Sequence, residues 1–416
     1  MRLLAIAGPG VMVMLADTDA GSVITAAQSG ALYGYQLVAS QVILIPVLYL
    51  VQEMTARLGL VTGQGHGALI RATFGSRWAL LSAATLFAAC VGALVTEFAG
   101  LAGVGALVGL PRVLSVGAPA VGLVTLVLAG RYRRVEHVGI AIGALELLFV
   151  PAAILTHPRF TAVVGALGRP VEFNPGYLSL LAANVGAVIM PWMVFYQQEA
   201  VIDRDRSTLD AAPRLRRTQL AAALRRARVD TALGALLTQV VMIAVVVAVA
   251  ATVGAEHPGT SLNSIAAIAD ALSPFLGGLT GATLFGLGML GAATVAALVV
   301  SLAGAWGMSE VLGWRHSLND SPRRAPGFYA LIVAATLTGA SVALLARDLV
   351  NLSVDVEVMN AGLLPIVLGF LLLLERRALP REYRMHGPRR AMTYALTGVV
   401  ISLGLYTVLH VVAGHL

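Results

Sequence analysis

The chain has 416 residues, of which 58% are hydrophobic and 12% charged, and its mean hydropathy is +0.84. Soluble domains carry about 25% charged residues, so this composition indicates an integral membrane protein and excludes a soluble globular domain. The net charge is +7, and the single cysteine, Cys90, excludes an internal disulfide.

Eleven apolar segments are long enough to cross the hydrocarbon core of a membrane as helices. Their approximate bounds, in chain order, are 4–33, 36–58, 78–107, 111–130, 135–156, 177–203, 229–253, 277–307, 326–346, 358–375 and 392–413. The sequence therefore predicts an all-α membrane protein with one transmembrane domain, 1–416. Between spans, the stretch HGALIRATFG (66–75) predicts a surface helix that exposes His66, and 259–273 is expected to pack on the opposite side.

The distribution of arginine predicts the orientation of the chain. With the N-terminus in the cytoplasm, 24 of the 28 arginines lie in cytoplasmic loops, and Arg112, Arg159, Arg169 and Arg347 lie outside. This positive-inside pattern predicts a multi-pass protein of the cell inner (plasma) membrane with an extracytoplasmic C-terminus. The basic loops face anionic lipid, so the high net charge requires no nucleic-acid partner.

Two of the predicted spans are interrupted. The first contains DTDAGS (17–22), and the sixth contains VIMPW (188–192), where Pro191 removes a backbone donor and clashes with the preceding turn. These spans open two consecutive sets of five, the first about 4–156 and the second about 177–375, followed by an additional helix at about 392–413. Interrupted helices at matching positions of two halves indicate an inverted-repeat transporter with a binding site at the membrane midplane.

The first interruption places Asp17 and Asp19 within the membrane. An acidic side chain at the bilayer centre costs about 2.5–3.5 kcal/mol, and no arginine is predicted at this depth. Water or a cation must therefore offset the cost, with Asp19 as the principal ligand and Asp17 as a second acid. A hydroxyl group of Ser22 or Thr18 completes the ligands of this break.

The second interruption adds neutral ligands. The main-chain carbonyls of Gly186 or Ala187 lose their helical partners near Pro191, and Met190 places a thioether beside the break. Oxygen ligands suit Mg²⁺ and Mn²⁺, whereas a thioether favours softer transition metals. Together the two breaks predict a divalent-cation site.

Four other polar residues lie within or beside predicted spans. Glu97 and Glu146 are candidates for a proton or ion path, or for protonated hydrogen bonding between helices. Glu199, two turns after the second break, is a candidate for the inner vestibule. Asn360, at the start of the tenth span, is a candidate metal ligand.

At these positions the chain resembles the natural resistance-associated macrophage protein (NRAMP) family of divalent metal transporters. Asp19-Ala20-Gly21-Ser22 falls on the family's first-helix motif D-P-G-N, and Ala187, Met190 and Pro191 match its sixth-helix motif A-x-x-M-P-H. Further similar stretches are GPG (8–10), YGYQL (33–37), ARLGLVTGQGHGALIRATFG (56–75) and TEF (96–98). The resemblance implies a leucine-transporter-type 5+5 inverted repeat with discontinuous helices 1 and 6. It also implies a metal bound by Asp19, the Ala187 carbonyl and Met190.

The chain departs from the family pattern in ways that bear on coupling. The substituted positions are Ala20 for Pro, Ser22 for Asn, Trp192 and Gln197 for His, and Gly100 for a third-helix acid. The family's histidines and third-helix acids are associated with proton movement, and of these only Glu97 has a match. Asp17 is an additional acid. The chain thus resembles a divergent prokaryotic branch, part of which carries Mg²⁺, and weak or absent proton coupling is expected.

The sequence therefore predicts a secondary transporter that imports divalent cations, Mn²⁺ or Mg²⁺ with Fe²⁺ as a further candidate, by alternating access. A Na⁺-coupled transporter of amino acids or small organic cations on the same fold is the alternative, and a metal sensor or scaffold is a third interpretation. No P-loop, Cys/His zinc spacing or G-x-S-x-G motif is present, so neither an enzyme nor a resident cofactor is expected. A monomer in membrane lipid is expected.

Overall fold

The computed structural model describes residues 8–129, 132–168, 174–205, 213–262, 265–269, 278–318 and 320–414, and all regular elements of these ranges are helical. The α-helices are α1 (Pro9–Asp17), α2 (Ala20–Tyr33), α3 (Val38–Thr62), α4 (His66–Phe74), α5 (Ser76–Leu107), α6 (Arg112–Ala129), α7 (Tyr132–Gly143), α8 (Phe149–Leu155), α9 (Phe160–Leu167), α10 (Pro175–Val188), α11 (Pro191–Arg204), α12 (Pro213–Ala251), α13 (Val253–Glu256), α14 (Gly278–Leu312), α15 (Pro326–Leu345), α16 (Leu349–Arg377) and α17 (Gly387–Gly414). Two 3₁₀ segments are Ala144–Leu148 and Arg381–Tyr383.

The predicted number of spans is confirmed within the described ranges. Ten helical segments are long and apolar enough to cross a membrane, judged by length and composition, and α1 with α2 forms an eleventh, bent by 50°. The described residues include at least part of each predicted span. Arg2, Arg131, Arg169 and Arg206, which contribute to the predicted orientation, lie outside the described residues.

One predicted boundary is wrong in a way that affects the site. The tenth span was expected to begin near residue 358, but its helix α16 begins at Leu349, where the Asp348 carboxylate accepts a hydrogen bond from the Asn351 amide (3.0 Å). This N-cap satisfies one of the free amides at the helix start and extends the helix by more than two turns. Asn360 therefore lies in the interior of a long helix and is buried.

The two breaks have local causes that the sequence contains. Between α1 and α2, Asp19 adopts an extended conformation and its carboxylate caps α2 by accepting from the Ser22 amide. Between α10 and α11, Ile189 and Met190 leave the helical region of backbone space, and Pro191 starts the next helix at its first position. Proline is tolerated there because that position has no intrahelical donor requirement.

Helix α16 lies across both breaks. It packs against α10, α11, α2 and α5, while α5 in turn packs along α14. The interrupted segments are therefore enclosed by other helices, and non-helical backbone at membrane depth is tolerated only under such enclosure.

The short helix α4 corrects one expectation. His66 was expected at the surface, but it is fully buried, its Nδ1 lies 3.0 Å from Gln198 Oε1, and its ring packs edge-on against Phe195. Burial lowers the pKa of His66 to about 4, so the imidazole is neutral at physiological pH. The exposed side of α4 carries Arg71, so only that side of the helix is at the surface.

The segment expected at 259–273 is described at 259–262 and 265–269, and 263–264 and 270–273 lie outside the described residues. Its backbone at Leu262 exchanges two hydrogen bonds with the Gln28 side chain, at 2.7 and 3.1 Å. The segment therefore packs against the half of the first span that follows the break.

Asp230 of α12 fixes the opposite end of the first span. Its carboxylate accepts hydrogen bonds from the amides of Gly8 (3.1 Å), Gly10 (2.9 Å) and Val11 (3.3 Å), and lies 3.6 Å from an Arg204 nitrogen at the end of α11. A buried carboxylate that satisfies the free amides at the start of α1 and pairs with α11 links both broken spans to α12.

We predict that Asp230→Ala lowers the free energy of unfolding by roughly 2 kcal/mol, because hydrogen bonds to a charged acceptor are lost and amides are left unsatisfied. The measurement is the melting temperature of the detergent-solubilised protein. Asp205→Ala is the control, since its ion pair with Arg226 (2.7 Å) involves a half-exposed arginine and should contribute less than about 1 kcal/mol. Equal losses in both variants would contradict a special role for Asp230.

Candidate metal site

The carboxylates of the first break are buried, and most of their oxygens accept no hydrogen bond from the described residues. Asp17 is 1% exposed and Asp19 is 0% exposed. Asp19 Oδ1 accepts from the Ser22 amide at 2.6 Å, but Asp19 Oδ2 and both oxygens of Asp17 have no hydrogen-bond partner. Asp19 therefore caps α2 with one oxygen and leaves the other available to a ligand.

Ser22 connects the two breaks directly. Its hydroxyl group lies 3.0 Å from the Asp17 carbonyl oxygen and 2.9 Å from the Ala187 carbonyl oxygen, and these two acceptors share its single hydrogen. Both carbonyls belong to helix ends whose regular partners the breaks remove. The structure thus brings together Ser22 and Ala187, two of the residues predicted from sequence as metal ligands, and Ser22 Oγ supplies a third neutral oxygen.

Met190 lies in the second break with an extended backbone. Its sulfur accepts a hydrogen bond from the Trp192 indole nitrogen at 2.9 Å. Trp192 occupies the position of a histidine in the family motif, and here its role is to orient the thioether. An indole N–H is a donor only, so this residue cannot itself take up or release a proton as an imidazole does.

Glu97 of α5 reaches the first break from the side. Its Oε2 accepts from the Ala20 amide at 3.1 Å, and its carboxyl group interacts with that of Asp19. Gly100, one turn later, stands where the family pattern has a second acid, and in this structure a Cβ at Gly100 would lie 2.4 Å from the Cβ of Ala20. Helix α5 packs too closely on the break for a side chain there.

Asn360 and Glu357 approach from α16. The Asn360 amide nitrogen donates to Glu357 Oε2 at 3.0 Å, while Asn360 Oδ1 and Glu357 Oε1 have no hydrogen-bond partner, and both residues are buried. Sequence reasoning missed Glu357 because the tenth span was expected to begin one residue after it. The signal that could have found it is its spacing of three from Asn360, which places both on one helix face.

Glu146 lies in the 3₁₀ segment Ala144–Leu148. It is 0% exposed, neither carboxyl oxygen has a hydrogen-bond partner, and it interacts with Asp17 and Asp19. The chain departs from α-helical geometry at Glu146, and this further acid lies close to the acids of the first break.

Glu199 belongs to a separate cluster. Its carboxylate, the Glu310 carboxylate and the His316 ring offer atoms that lie within 4.8 Å of one another. Glu310 also accepts from the Gly67 amide at the start of α4 (3.1 Å), and His316 Nδ1 lies 2.8 Å from the Trp314 carbonyl oxygen. Glu199 and His316 line an open cavity of about 400 Å³, so this cluster faces solvent rather than the breaks.

The acids around the breaks have no basic partner among the described residues and need protons or a cation to offset their charge. The acids that interact around them are Asp17, Asp19, Glu97, Glu146 and Glu357. In the part of the chain that the structure describes, no ion pair involves any of them. Each ionised carboxylate at membrane depth costs about 2.5–3.5 kcal/mol, so this arrangement is stable only with protons or a bound cation among the carboxylates.

Two broken membrane spans that meet at a buried polar site, enclosed by neighbouring helices, define a transporter of the leucine-transporter type. Known structures share this fold. The structure matches the manganese transporter of Eremococcus coleocola with a TM-score of 0.75 at 22% sequence identity, covering 97% of this chain and 86% of that one. It also matches the nucleobase-cation-symport-1 family transporter Mhp1 with a TM-score of 0.58 at 14% identity, covering 97% and 91%.

Sequence comparison specifies the family. A model of natural resistance-associated macrophage protein-like sequences matches residues 10–410. The divalent metal cation transporter MntH of Acidiphilium cryptum is 30% identical, covering 98% of this chain and 90% of that relative. MntH of Aeromonas hydrophila is 27% identical, covering 97% and 95%. The chain therefore belongs to the NRAMP family, as its motifs predicted.

We predict that Gly186→Ala lowers the melting temperature, because its Cβ would lie 1.9 Å from the main-chain oxygen of Glu357 in α16. Backbone cannot move aside cheaply, and overpacking of this kind costs about 1–3 kcal/mol. Gly369→Ala, in the same membrane helix as Glu357, is the matched control: a Cβ at this position would have no atom within 4 Å, so the change should be neutral or stabilising by up to about 1 kcal/mol. An unchanged melting temperature for Gly186→Ala would contradict the close approach of α10 to α16.

Proposed function

We propose that this protein is a secondary transporter that moves divalent metal cations into the cell by alternating access. The observation that carries the proposal is the pair of buried carboxylates, Asp17 and Asp19, that lie at a helix break without a basic partner. Its relatives named above are described as divalent metal cation transporters. The proposed cargo is Mn²⁺ or Mg²⁺, with Fe²⁺ as a further candidate.

The proposed ligands come from both breaks and from α16. Asp19 Oδ2 is the anionic anchor, and Ser22, the Ala187 carbonyl, Met190, Asp17 and Asn360 complete the set. A cation at this point would take over the Ala187 carbonyl from the Ser22 hydroxyl group and would satisfy carboxyl and amide oxygens that otherwise lack partners. Oxygen-rich coordination with one thioether accommodates Mn²⁺ well and leaves room for softer metals.

The orientation and assembly follow the sequence-based predictions. We propose a single domain, 1–416, with repeats at about 4–156 and 177–375 and an additional helix at about 392–413, working as a monomer in the inner membrane. The N-terminus is cytoplasmic and the C-terminus is extracytoplasmic. Glu199 then lies on the exit route, at the end of α11 that leads from the breaks towards the cytoplasm.

The membrane potential is the proposed driving force. Inward movement of two positive charges across 100 mV contributes about 4.6 kcal/mol. Proton coupling is proposed to be weak or absent, because Trp192 and Gln197 stand where the family pattern has histidines. Amino-acid transport, the alternative, is not favoured, since Asp17, Asp19 and Glu357 would repel a substrate carboxylate.

We predict that Asp19→Asn abolishes Mn²⁺ uptake into proteoliposomes while preserving the fold. Asparagine caps helices as well as aspartate does, so α2 keeps its N-cap and only the charge is lost. Asp348→Asn makes the same change at the exposed N-cap of α16, where the carboxylate accepts from the Asn351 amide, and should retain wild-type uptake. Wild-type rates in Asp19→Asn would remove Asp19 from the site.

We also predict that Mn²⁺ uptake proceeds without matching acidification of the vesicle interior. A pH-sensitive dye inside the proteoliposomes and a parallel metal assay measure both fluxes in one preparation, driven by an imposed potential. Robust metal-dependent acidification that disappears in Glu97→Gln would overturn uncoupled transport and assign the proton path to Glu97.

A further inference from the structure

Both broken spans approach α16 closely at Glu357. A Cβ at Gly21, in the first turn of α2, would lie 2.3 Å from Glu357 Oε1, and a Cβ at Gly186, before the second break, would lie 1.9 Å from the Glu357 main-chain oxygen. Neither position could carry a side chain without displacing this residue. The glycines therefore bring the Glu357 carboxyl group into the space between the two interruptions.

Hydrogen bonding holds one oxygen of this group and leaves the other free. Glu357 is 0% exposed, and its Oε2 accepts from the Asn360 amide nitrogen at 3.0 Å. Glu357 Oε1, the oxygen that faces Gly21, has no hydrogen-bond partner. A carboxylate that is oriented by a hydrogen bond to one oxygen, and whose other buried oxygen is available, is suited to bind a cation.

Glu53, a buried acid outside the site, provides a comparison for Glu357 because its charge is neutralised by ion pairs. Glu53 of α3 is 2% exposed and pairs with Arg57 (3.3 Å), Arg228 (3.0 Å) and Arg389. Glu357, by contrast, has no ion pair in the described part of the chain, and the charged groups that interact with it include Asp17, Asp19 and Glu97. Glu357 therefore lies among other acids, whereas arginines neutralise the charge of Glu53.

We propose that Glu357 is a specificity-determining residue of the cation site, adding a carboxylate oxygen from α16 to those of Asp17 and Asp19. This inference rests on the proposed function and narrows its cargo. Each additional anionic oxygen favours hard divalent cations, so the site selects Mn²⁺ and Mg²⁺ over soft cations such as Cd²⁺. The Met190 thioether favours soft cations instead, so the selectivity of the site depends on the balance between the Glu357 carboxylate and the Met190 sulfur.

The test is Glu357→Gln, which keeps the size of the side chain and an oxygen that can accept from Asn360. Proteoliposome uptake and equilibrium binding are measured for Mn²⁺, Mg²⁺ and Cd²⁺. We expect the KM for Mn²⁺ and Mg²⁺ to rise by about tenfold or more and that for Cd²⁺ by less than about threefold. The metal-induced rise in melting temperature should shrink for Mn²⁺, while the metal-free protein melts at the same temperature or higher.

Three variants complete the experiment. Asp355→Asn removes one charge from the exposed side of the same helix and should leave all constants unchanged. Met190→Leu removes the sulfur at similar volume and should raise the KM for Cd²⁺ more than that for Mn²⁺. Glu357→Asp keeps the charge on a shorter side chain and should lie between wild type and Glu357→Gln in its ratio of Mn²⁺ to Cd²⁺ affinity.

The outcomes separate this inference from the proposed function. Uptake by Glu357→Gln with wild-type KM values and selectivity, in a protein whose Asp19→Asn variant is inactive, overturns the role of Glu357 and leaves the transporter intact. Failure of the wild type to bind or accumulate any divalent cation overturns the proposed function itself. If Glu357→Gln does not fold, the affinity ratio of Glu357→Asp decides, and an unchanged ratio overturns the inference.

Discussion

The structure depends on one constraint, that carboxylates are buried at membrane depth where the helices that carry them stop. Asp17 is the last residue of α1 and Asp19 is the N-cap of α2, so acidic side chains lie on both sides of the break. Ser22 then joins this break to the other through the Ala187 carbonyl. Freed main-chain groups and unpaired acids thus converge in one place, and a cation can satisfy both at once.

The surrounding helices make this arrangement tolerable. Residues at both breaks are 0–1% exposed, so the site is closed to solvent in this conformation. Two buried acids outside the site have basic partners: Glu53 lies among arginines, and Asp230 caps α1 and pairs with Arg204. Asp230 also ties the start of α1 to the end of α11.

The departures from the family motifs form a consistent set. Ala20, in place of proline, packs against Gly100, in place of an acid, and the Ala20 amide that proline would lack donates to Glu97. Trp192, in place of histidine, donates to the Met190 sulfur. Two groups that could exchange protons in the family pattern are thus replaced by groups that fix geometry. Glu357 of α16 and Glu146 of the segment Ala144–Leu148 add to the buried negative charge that Asp17, Asp19 and Glu97 place around the breaks.

The sequence by itself determined the membrane class, the eleven spans, the two breaks and the family, because hydropathy, proline and acidic residues act locally and leave a direct pattern. It also placed Asp19, Ser22, Ala187 and Met190 near those breaks. Only the tertiary structure decided that His66 is buried, that Ser22 bridges both breaks, and that Glu357 faces them. Those facts depend on contacts between helices far apart in the chain. The distance at which α16 passes Gly21 and Gly186 is set by packing, which a one-dimensional pattern does not encode.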